Sequence, residues 1–520
     1  MKHLFRIKKV SDLLTESEAE DKKLNKVLGV WDLIALGVAS VVGTGIFATI
    51  GTAVAGGHSH VGAGPAIVFS FVIAALACLF TLLCYAELAS MIPISGSAYT
   101  YSYATMGELT AWIIGWDLTI EYGVSAVAIA ISWAEYLVQF LNGVGLHIPL
   151  WLCTNYRDAM ANPQVLTAAP HLGSLPIVFN LPAVLIVLAI TGLLVIGIKE
   201  SAKVNNMIVI LKIGILLFFI FAGLKFVRPE NWSPFMPNGW NGVLTGTALI
   251  FFAYIGVDAV STTAEETKDP AKNLPRGMIG TLIISTLFYI VIALVLTGMA
   301  PSNLLGTGDP LAHAFALNNV NWIAGIISAG AVISLASVIL VVQLGQTRVF
   351  YVISRDGLLP PFLSKVHPKF KTPHVVTIVT GIIVAFFSAF ANINEVVELC
   401  NIGTLFAFIL VCIGVLILRK KDPDRQRVFK CPYLPWIPIL GIGFCIFLMI
   451  HLPLLTWLRF AYWLIIGLLI YFFYGALHSN LNGKDIDKKA IMKRNTPWIA
   501  LTLIAFLLLT WYVWLHPIKI

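Results

Sequence analysis

The sequence predicts an all-α, polytopic membrane protein, and three observations lead to this fold class. The first is composition: of 520 residues, 58% are hydrophobic and only 12% are charged, and the mean hydropathy is +0.87. The second is the recurrence of apolar runs of about 20 residues, the length that crosses a bilayer as a helix. The third is the placement of the basic residues, which collect in alternate loops between these runs.

About thirteen apolar runs are long enough to be transmembrane helices. In chain order we predict them at residues 31–56, 63–90, 108–140, 179–198, 202–227, 241–265, 276–300, 320–353, 374–392, 395–419, 435–457, 459–478 and 497–516. Residues 1–27 form a polar, basic arm before the first run. With this arm inside, about 27 basic residues face the cytoplasm and about 5 face outward, which predicts a cytoplasmic N-terminus and an outward C-terminus.

Several other classes of protein are disfavoured by the sequence. The net charge of +8 does not indicate nucleic-acid binding, because the basic residues lie in alternate loops rather than in one patch. The seven cysteines show neither metal-binding nor disulfide-framework spacing. No cluster at catalytic spacing indicates an enzyme, and no repeated filter motif indicates a channel. We therefore expect no catalytic residues, no cofactor, no bound metal ion and no nucleic-acid partner.

The middle of the first run is its least helical part. Gly43 and Gly45 flank Thr44 there, and two glycines at mid-membrane depth favour a break in the helix. A break frees backbone N–H groups at the start of the second half-helix, where the positive end of the helix dipole also lies. We therefore expect Thr44, Gly45 and Ile46 to donate hydrogen bonds to a carboxylate. The alternative is that the two glycines only permit close helix packing.

The sixth run carries a second interruption, at Gly256 and Asp258. Interrupted spans at corresponding positions of two five-helix halves indicate an inverted-repeat transporter with a binding site near the midplane. The halves are residues 28–227 (helices 1–5) and 241–420 (helices 6–10), and helices 11–13 follow in residues 430–520. The alternative is two independently kinked structural helices.

Unwound backbone in the sixth run exposes carbonyl oxygens as well. We expect those of Phe251, Phe252 and Ala253 to accept from a cation such as an ammonium group. A patch of donors that faces a patch of acceptors over a short distance recognises an α-amino acid. Phe252 or Tyr254 could cover such a site.

Ionisable residues within apolar runs are costly and usually face the interior of a helix bundle. Lys212 lies deep in the fifth run, where it is a candidate for proton coupling or, alternatively, a structural lysine bonded to helix ends. Asp117 and Glu121 share a face of the third run, and Glu121 is the better candidate for coupling or substrate contact. His58 and His60 are expected in an outer turn with a surface role.

Six segments together resemble the cationic amino acid transporter branch of the amino acid–polyamine–organocation superfamily. They are VVGTGIF (41–47), GAGPAIVFSFVIAALACLFTLLCYAELASMIPISGSAYTYSY (62–103), GWDLTIEYGVSAVA (115–128), KESAKVNNMIVILKIGI (199–215), FFAYIGVDAVSTTAEETKDPAKNLPRG (251–277) and GQTRVFYVISRDGLLP (345–360). The resemblance covers most of residues 28–420. It implies a five-plus-five inverted repeat of the leucine-transporter type, with helices 1 and 6 unwound and transport by alternating access.

The resemblance also implies roles for matching residues. The implied substrate-binding residues are Gly43, Thr44 and Gly45 in the first break, Phe252, Ala253 and Ile255 in the second, and Leu335 in the eighth span. Lys212 matches a lysine that replaces a sodium site in proton-coupled members, and Glu121 matches an acid near the site. An apolar Leu335 favours small neutral substrates over arginine or lysine.

We therefore expect a proton-coupled, sodium-independent permease for small neutral L-amino acids, with amino acid and protons as its partners. A uniporter or exchanger of cationic amino acids (arginine, lysine or ornithine) and an amino acid sensor without transport are the alternatives. The compact loops favour a bacterial inner membrane. The thirteenth run departs from a twelve-span plan, which leaves open a small membrane partner or an oligomer contact at the C-terminal helices.

Overall fold

The computed structural model describes residues 4–8, 28–57, 60–92, 97–160, 162–173, 175–197, 202–370, 372–482 and 488–515. It is mostly helical, as the sequence predicts. The strands found in the described chain are His171–Leu172 and Leu175–Pro176, which pair antiparallel in the long loop after the third predicted span. The prediction of an all-α, multi-pass membrane protein is confirmed at this level.

The principal helices are labelled α1 to α16 in chain order. They are α1 (Val30–Val41), α2 (Ile50–Ala55), α3 (Ile67–Met91), α4 (Ser97–Thr105), α5 (Glu108–Gly143), α6 (Leu181–Ile196), α7 (Ala202–Gly223), α8 (Gly239–Ile250), α9 (Pro270–Met299), α10 (Pro310–Leu317), α11 (Asn321–Arg355), α12 (His374–Phe390), α13 (Ile393–Lys421), α14 (Trp436–Ile450), α15 (Leu454–Ile470) and α16 (Lys488–Leu515).

Shorter helical turns connect these elements. The α-helical turns are Tyr156–Met160, Pro163–Ala168 and Ala476–His478; the π-helical turns are Gly45–Thr49 and Tyr471–Gly475; and the 3₁₀ turns are Gly64–Ala66, Leu150–Leu152, Leu224–Phe226, Pro229–Trp232, Phe251–Tyr254, Val257–Glu266, Ser302–Leu304 and Pro361–Ser364. The π turn Gly45–Thr49 and the 3₁₀ turns Phe251–Tyr254 and Val257–Glu266 interrupt the first and sixth predicted spans.

Each predicted apolar run coincides with one or more helical segments, and the first and sixth runs coincide with three each. Among the described residues, eight helices are long and apolar enough to cross a membrane, or nine if α1 and the bent continuation Gly45–Ala55 count as one span. Three further apolar helices, α6, α12 and α14, are 10–17 residues long. The number of thirteen crossings stays a prediction.

The centre of the bundle is built on α5, which packs along both α11 and α13. Small residues allow these close approaches: a side chain at Gly345 of α11 would meet the ring of Tyr122, and one at Gly403 of α13 would lie 2.9 Å from Asp117 Oδ1. Both Tyr122 and Asp117 belong to α5. The third predicted span is therefore the scaffold on which the site elements rest.

The described part of the N-terminal arm packs against the end of the bundle that is predicted to face the cytoplasm. Leu4 is 1% exposed, and the backbone N–H of Leu109 donates to its carbonyl at 2.9 Å. Arg6 pairs with the buried Glu108 at 3.2 Å, and Lys8 pairs with Asp356 at 3.9 Å. Residues 9–27 lie outside the described chain.

The helix α16 lies at the edge of the bundle. Its central apolar window is only 6% buried, far less than that of any other membrane-length helix. It is attached near its start, where Asn495 Nδ2 donates to Phe472 O at 3.0 Å and Trp498 stacks on Phe472. Most of its surface is therefore left to lipid.

Candidate functional site

The first break begins where α1 ends at Val41. Val42 is extended, with φ −75° and ψ 91°, and the chain bends by 46° before Gly45–Ala55 continues the span. The backbone N–H groups of Ile46 and Phe47 both donate to Gly43 O at 3.1 Å. The predicted donor Ile46 is therefore already bonded within the break.

Thr44 is the residue in this break with unsatisfied bonding capacity. Its side chain is 2% exposed, and its hydroxyl oxygen has no hydrogen-bond partner among the described residues. A buried hydroxyl without a partner costs about 1–3 kcal/mol, so its presence at a predicted binding position calls for a ligand or water that completes it. The prediction concerned backbone N–H groups, so the hydroxyl of Thr44 is an additional donor, and the binding role of these residues stays a prediction.

The second break follows Ile250, the last residue of α8. Phe251–Tyr254 form a 3₁₀ turn, Ile255 is extended, and Gly256 takes a left-handed conformation with φ +97°. A side chain at Gly256 would lie 2.7 Å from Ser40 Oγ of α1 and would also be strained by the positive φ. This glycine therefore serves both the turn and the contact between the two broken spans.

The two breaks touch each other directly. A Cβ atom at Gly45 would overlap Cα of Ala253 and lie 2.8 Å from its backbone nitrogen. Only glycine fits this approach of backbone to backbone. The structure thus brings the predicted residues Gly43–Ile46 and Phe252–Ile255 together in one place, at the centre of the bundle.

Tyr289 of α9 joins the two breaks from a third helix. Its hydroxyl lies 2.9 Å from Val41 O and 2.9 Å from Ala253 O. Since a phenol has one hydrogen, it can donate to only one of these carbonyls at a time. The sequence analysis missed this residue, because a single tyrosine in an apolar run carries no periodic signal.

Asn401 of α13 is a second residue that sequence reasoning missed. Its side-chain amide donates to Ala248 O at 2.7 Å and to Leu249 O at 3.1 Å, in the last turn of α8. The carbonyls of the last turn of a helix lie beyond its regular i to i−4 hydrogen bonds, and here the N–H of Phe251 also donates to Leu249 O. Asn401 therefore stabilises the end of the half-helix that precedes the second break.

The apolar wall of the site comes from α11. Cγ1 of Val338 would lie 3.5 Å from a Cβ at Gly43, which places Val338 beside the first break. The predicted residue Leu335 is fully buried three positions earlier, so it lies on the same helix face about one turn away. The two aromatic residues that were expected to cover the site differ in their contacts. The hydroxyl of Tyr254 donates to Phe71 O of α3 at 3.0 Å, so Phe252 remains the candidate for covering the site.

Lys212 is buried in α7, with 2% of its surface exposed. Its Nζ atom donates to Ala39 O at 2.8 Å, in the last turn of α1. A cation is favourable there because the C-terminal end of a helix carries partial negative charge. This contact is compatible with both roles predicted for Lys212: a lysine that takes the place of a metal cation, and a lysine that only stabilises the structure.

Glu121 lies on α5, where the helix packs against α13. It is buried, Cys400 donates to its backbone carbonyl at 3.5 Å, and the nearby Asp258 repels its charge. Asp117, one turn away, is fully buried, and neither of its carboxylate oxygens has a partner within the described chain. Acidic side chains therefore cluster here without a basic residue bonded to Asp117.

Comparison with known proteins adds evidence that geometry cannot supply. The model of the family described as amino acid permease matches residues 28–473. The chain is 48% identical over 482 residues to the branched-chain amino acid permease BcaP of Bacillus subtilis (strain 168), which covers 92% of this chain and 99% of the relative.

Two further relatives carry other names. The methylthioribose transporter of Bacillus subtilis (strain 168) is 46% identical over 483 residues, covering 93% of this chain and 100% of the relative. The vacuolar cationic amino acid transporter 4 of Arabidopsis thaliana is 29% identical over 602 residues, covering 93% and 97%. The fold is thus shared by relatives whose names point to three kinds of substrate.

Proposed function

The chain belongs to the amino acid permease family of the amino acid–polyamine–organocation superfamily, and from this premise we propose that it is a secondary active permease for neutral L-amino acids with small or branched apolar side chains. The observation that carries the proposal is the contact between Gly45 and Ala253. This contact and the unbonded hydroxyl of Thr44 support a site between the first break and the unwound segment of the sixth span. Donors next to acceptors suit a carboxylate and an ammonium group on one carbon atom.

The substrate class follows from the wall of this site. Leu335 and Val338 on α11 and Phe252 and Ile255 in the second break are all apolar. An apolar wall stabilises a hydrophobic side chain and leaves the guanidinium or ammonium group of a cationic side chain without a partner. The relative named as a branched-chain amino acid permease, at 48% identity, supports the same class.

The transport cycle is proposed to follow from the architecture. Residues 28–227 and 241–420 would form two inverted halves of the leucine-transporter type, because the interrupted spans occupy the first position of each half. Residues 430–520 add the last helices, which brings the proposed total to thirteen. Alternating access would then expose the site at the breaks to each side of the membrane in turn.

Proton coupling is proposed for Lys212 and Glu121. Lys212 reaches the end of α1 beside the first break, where a cation is favourable. Glu121 is a buried acid on α5, near Asp258 of the sixth span. Protonation of either group changes the charge next to the broken spans, which supplies a physical link between the proton gradient and their conformation.

The cellular setting is proposed from the charge pattern and the bacterial relatives. A bacterial inner membrane, with a cytoplasmic N-terminus, agrees with the excess of basic residues in one set of loops. The exposed helix α16 is the proposed place for a small membrane partner or a second copy of the chain.

Uptake into sodium-free proteoliposomes tests this proposal. We expect L-leucine and L-valine to be taken up, L-alanine to compete, and an inward proton gradient to raise the rate. Uptake of L-arginine in preference to L-leucine would establish the cationic alternative. Binding of L-leucine without any uptake or exchange would establish an amino acid sensor instead.

Methylthioribose is a second candidate substrate, because the relative named for its transport is nearly as similar as the amino acid permease, at 46% against 48% identity. This sugar has neither a carboxylate nor an ammonium group, so it would not use the paired donors and acceptors of the breaks. Competition decides between the two. Inhibition of L-leucine uptake by methylthioribose, together with direct uptake of the sugar, would favour the second candidate.

A further inference from the structure

The two short strands in the loop after the third predicted span form a hairpin, in which Leu172 stands opposite Leu175. The N–H of Ile177 donates to Pro170 O at 2.8 Å, which continues the same register by one pair. Side chains of directly opposed residues, and of residues two apart along one strand, lie on the same face. Pro170, Leu172, Leu175 and Ile177 therefore share one side of the hairpin, which we call the hairpin face.

The hairpin face is both apolar and exposed. Leu172 is 75% exposed and Leu175 is 66% exposed, and Pro170 and Ile177 are exposed beside them. An antiparallel hairpin that turns one face to water usually carries polar side chains on that face. The composition of the hairpin face therefore suits contact with apolar surroundings.

The other face of the hairpin already has its cover. Pro176 lies on that face and is partly buried, and Val178, two residues further on, is 5% exposed. Val178 packs in a small satellite core with Ala159, Val165 and Ala169. The loop thus folds around a core of its own and leaves the hairpin face on its outside.

The loop carries little charge, and its charges point away from the hairpin. The acidic and basic residues of 141–178 are Arg157 and Asp158. Arg157 pairs with Glu395 of α13, and Asn392 Nδ2, at the start of α13, donates to Asp158 Oδ1 at 2.8 Å. The charged pair therefore fastens the loop to α13, and the hairpin face enters an apolar phase without burying a charge.

The hairpin is tied to the ends of two predicted spans. Asn180 caps α6, because its Oδ1 accepts from the N–H of Ala183 at 3.1 Å. The N–H of Asn180 also donates to Ala389 O, near the end of α12, at 2.9 Å. Ile177 stands three residues before Asn180, a distance of at most about 11 Å along an extended chain. The hairpin face therefore begins close to the ends of α6 and α12 that are predicted to face outward.

These two helices present apolar surface along their exposed sides. On α12, Phe386, Phe387 and Phe390 are 61%, 54% and 51% exposed, and the ring of Phe386 packs edge-on against both of the others. On α6, Leu185 is 55% exposed within one turn of the helix start. Large apolar side chains that are exposed on a predicted span face the hydrocarbon of the bilayer. The hairpin face thus lies within reach of a surface that lipid covers.

We propose that the hairpin face inserts into the interfacial layer of the outward-facing leaflet, so that phospholipid is the partner of this surface. A stable protein–protein interface buries about 800 Å² on each partner, which is more than the four side chains of this face provide. Lipid requires no such area, because each apolar side chain that leaves water contributes separately. Since the loop is bonded to α6, α12 and α13, the lipid contact fixes the ends of these helices relative to the bilayer.

The test is the accessibility of a spin label to two collision reagents. The full-length protein carries Cys153→Ser, which removes the cysteine that is not buried, and one nitroxide label at Leu172→Cys or at Leu175→Cys. It is reconstituted into vesicles of phosphatidylethanolamine and phosphatidylglycerol. Molecular oxygen is apolar and concentrates in hydrocarbon, whereas a nickel chelate stays in water.

We expect the ratio of oxygen collisions to nickel collisions to be several-fold higher at positions 172 and 175 than at a control position. The matched control is Gln164→Cys, because Gln164 is an exposed polar residue of the same loop, on the helical turn Pro163–Ala168. Cys153→Ser without a further cysteine should take up no label, which shows that the signal comes from the chosen position.

Three results would overturn the inference. Equal ratios at positions 172, 175 and 164 would show that the hairpin face lies in water. Weak collision with both reagents at 172 and 175 would show that protein covers the face, such as a second copy of this chain. A high ratio at only one of the two positions would also contradict insertion, because Leu172 and Leu175 stand opposite each other on one face. The measurement needs no substrate, so each of these results leaves the proposed transport function standing.

Discussion

A single missing side chain, at Gly45, lets the two broken spans touch. Introducing a Cβ atom there overlaps backbone atoms of Ala253, which cannot rotate away as a flexible side chain would. Overpacking of this kind costs about 1–3 kcal/mol. At this position the overlap distorts the contact between the two breaks, where the candidate site lies.

We therefore predict that Gly45→Ala abolishes most amino acid uptake, with a fall of at least about ten-fold. The matched control is Gly214→Ala on α7, because nothing lies within 4 Å of a Cβ atom there. Initial rates of L-leucine uptake at equal protein density measure the effect. Normal uptake by Gly45→Ala would mean that the two breaks separate during transport without cost.

An experiment can distinguish a role of Lys212 in proton coupling from a purely structural role. If Lys212 couples protons, the rate of gradient-driven uptake falls at least about ten-fold in Lys212→Ala, while exchange of labelled for unlabelled leucine continues. If it only fastens the end of α1, both activities and the thermal stability fall together. Lys225→Ala is the control, since Lys225 is an exposed lysine just after the same helix. Equal gradient stimulation in Lys212→Ala and the parent protein would exclude a coupling role.

At the scale of elements, the half-helices depend on side chains from neighbouring helices to bond their ends. Tyr289 serves both breaks, and its loss would leave Val41 O and Ala253 O without this donor. Each buried, unsatisfied carbonyl costs about 1–3 kcal/mol. The two breaks are thus stabilised as a pair by one hydroxyl group.

We predict that Tyr289→Phe lowers the maximal rate of uptake several-fold and lowers the melting temperature. Tyr462→Phe is the control, because its hydroxyl bonds Thr510 at the surface, between α15 and α16. Thermal unfolding in detergent and leucine uptake measure the two effects. An unchanged rate together with an unchanged melting temperature would show that another group replaces the hydroxyl.

The end of the bundle that is predicted to face the cytoplasm depends on Glu108 in the same way. Tyr103, Tyr471 and Ser479 all donate to this buried carboxylate, and Arg6 pairs with it from the N-terminal arm. When Arg6 is removed, Glu108 keeps its three hydroxyl donors, whereas removal of the carboxylate leaves those buried hydroxyl groups without their acceptor.

This asymmetry predicts that Glu108→Ala lowers the melting temperature much more than Arg6→Ala does. The double variant should be close to Glu108→Ala alone, because the ion pair is already lost and Arg6 then contributes its hydrogen bond to Asn482 Oδ1. Differential scanning fluorimetry on the three variants measures the difference. Equal losses from the two single variants would show that the N-terminal arm, and not the carboxylate, holds this end together.

For the whole molecule, the number of crossings decides on which side each terminus lies. Thirteen spans with a cytoplasmic N-terminus put the C-terminus outside, and a chain that ends after Asn482 lacks α16 and should have its C-terminus inside. A reporter that is active only in the cytoplasm, fused to each C-terminus, measures this. Since α16 is little buried, we expect the truncated protein to fold. Reporter activity from both fusions would mean that α16 does not cross the membrane.

The helical part of the fold was predictable because its signals are local. Run length and loop charge located the helices, and the glycines at 43, 45 and 256 located the interruptions. Hydrogen bonds between distant segments were not predictable. Tyr289 lies 248 residues from Val41, and the sequence of neither segment indicates that they are in contact. Val338 was missed for the same reason. The docked arm was missed as well, because, of its apolar residues, Leu4 is buried while Phe5 and Ile7 are exposed, a difference that the sequence does not show.

The contact between Gly45 and Ala253 also limits how this chain can evolve. At Gly330, the atoms in the way belong to the side chain of Ile215, so a smaller residue at 215 could compensate for a larger one at 330. At Gly45 the obstruction is main chain, which no exchange of amino acid removes. Packing on α11 can therefore change by paired substitutions, while position 45 has no neutral path to any other residue.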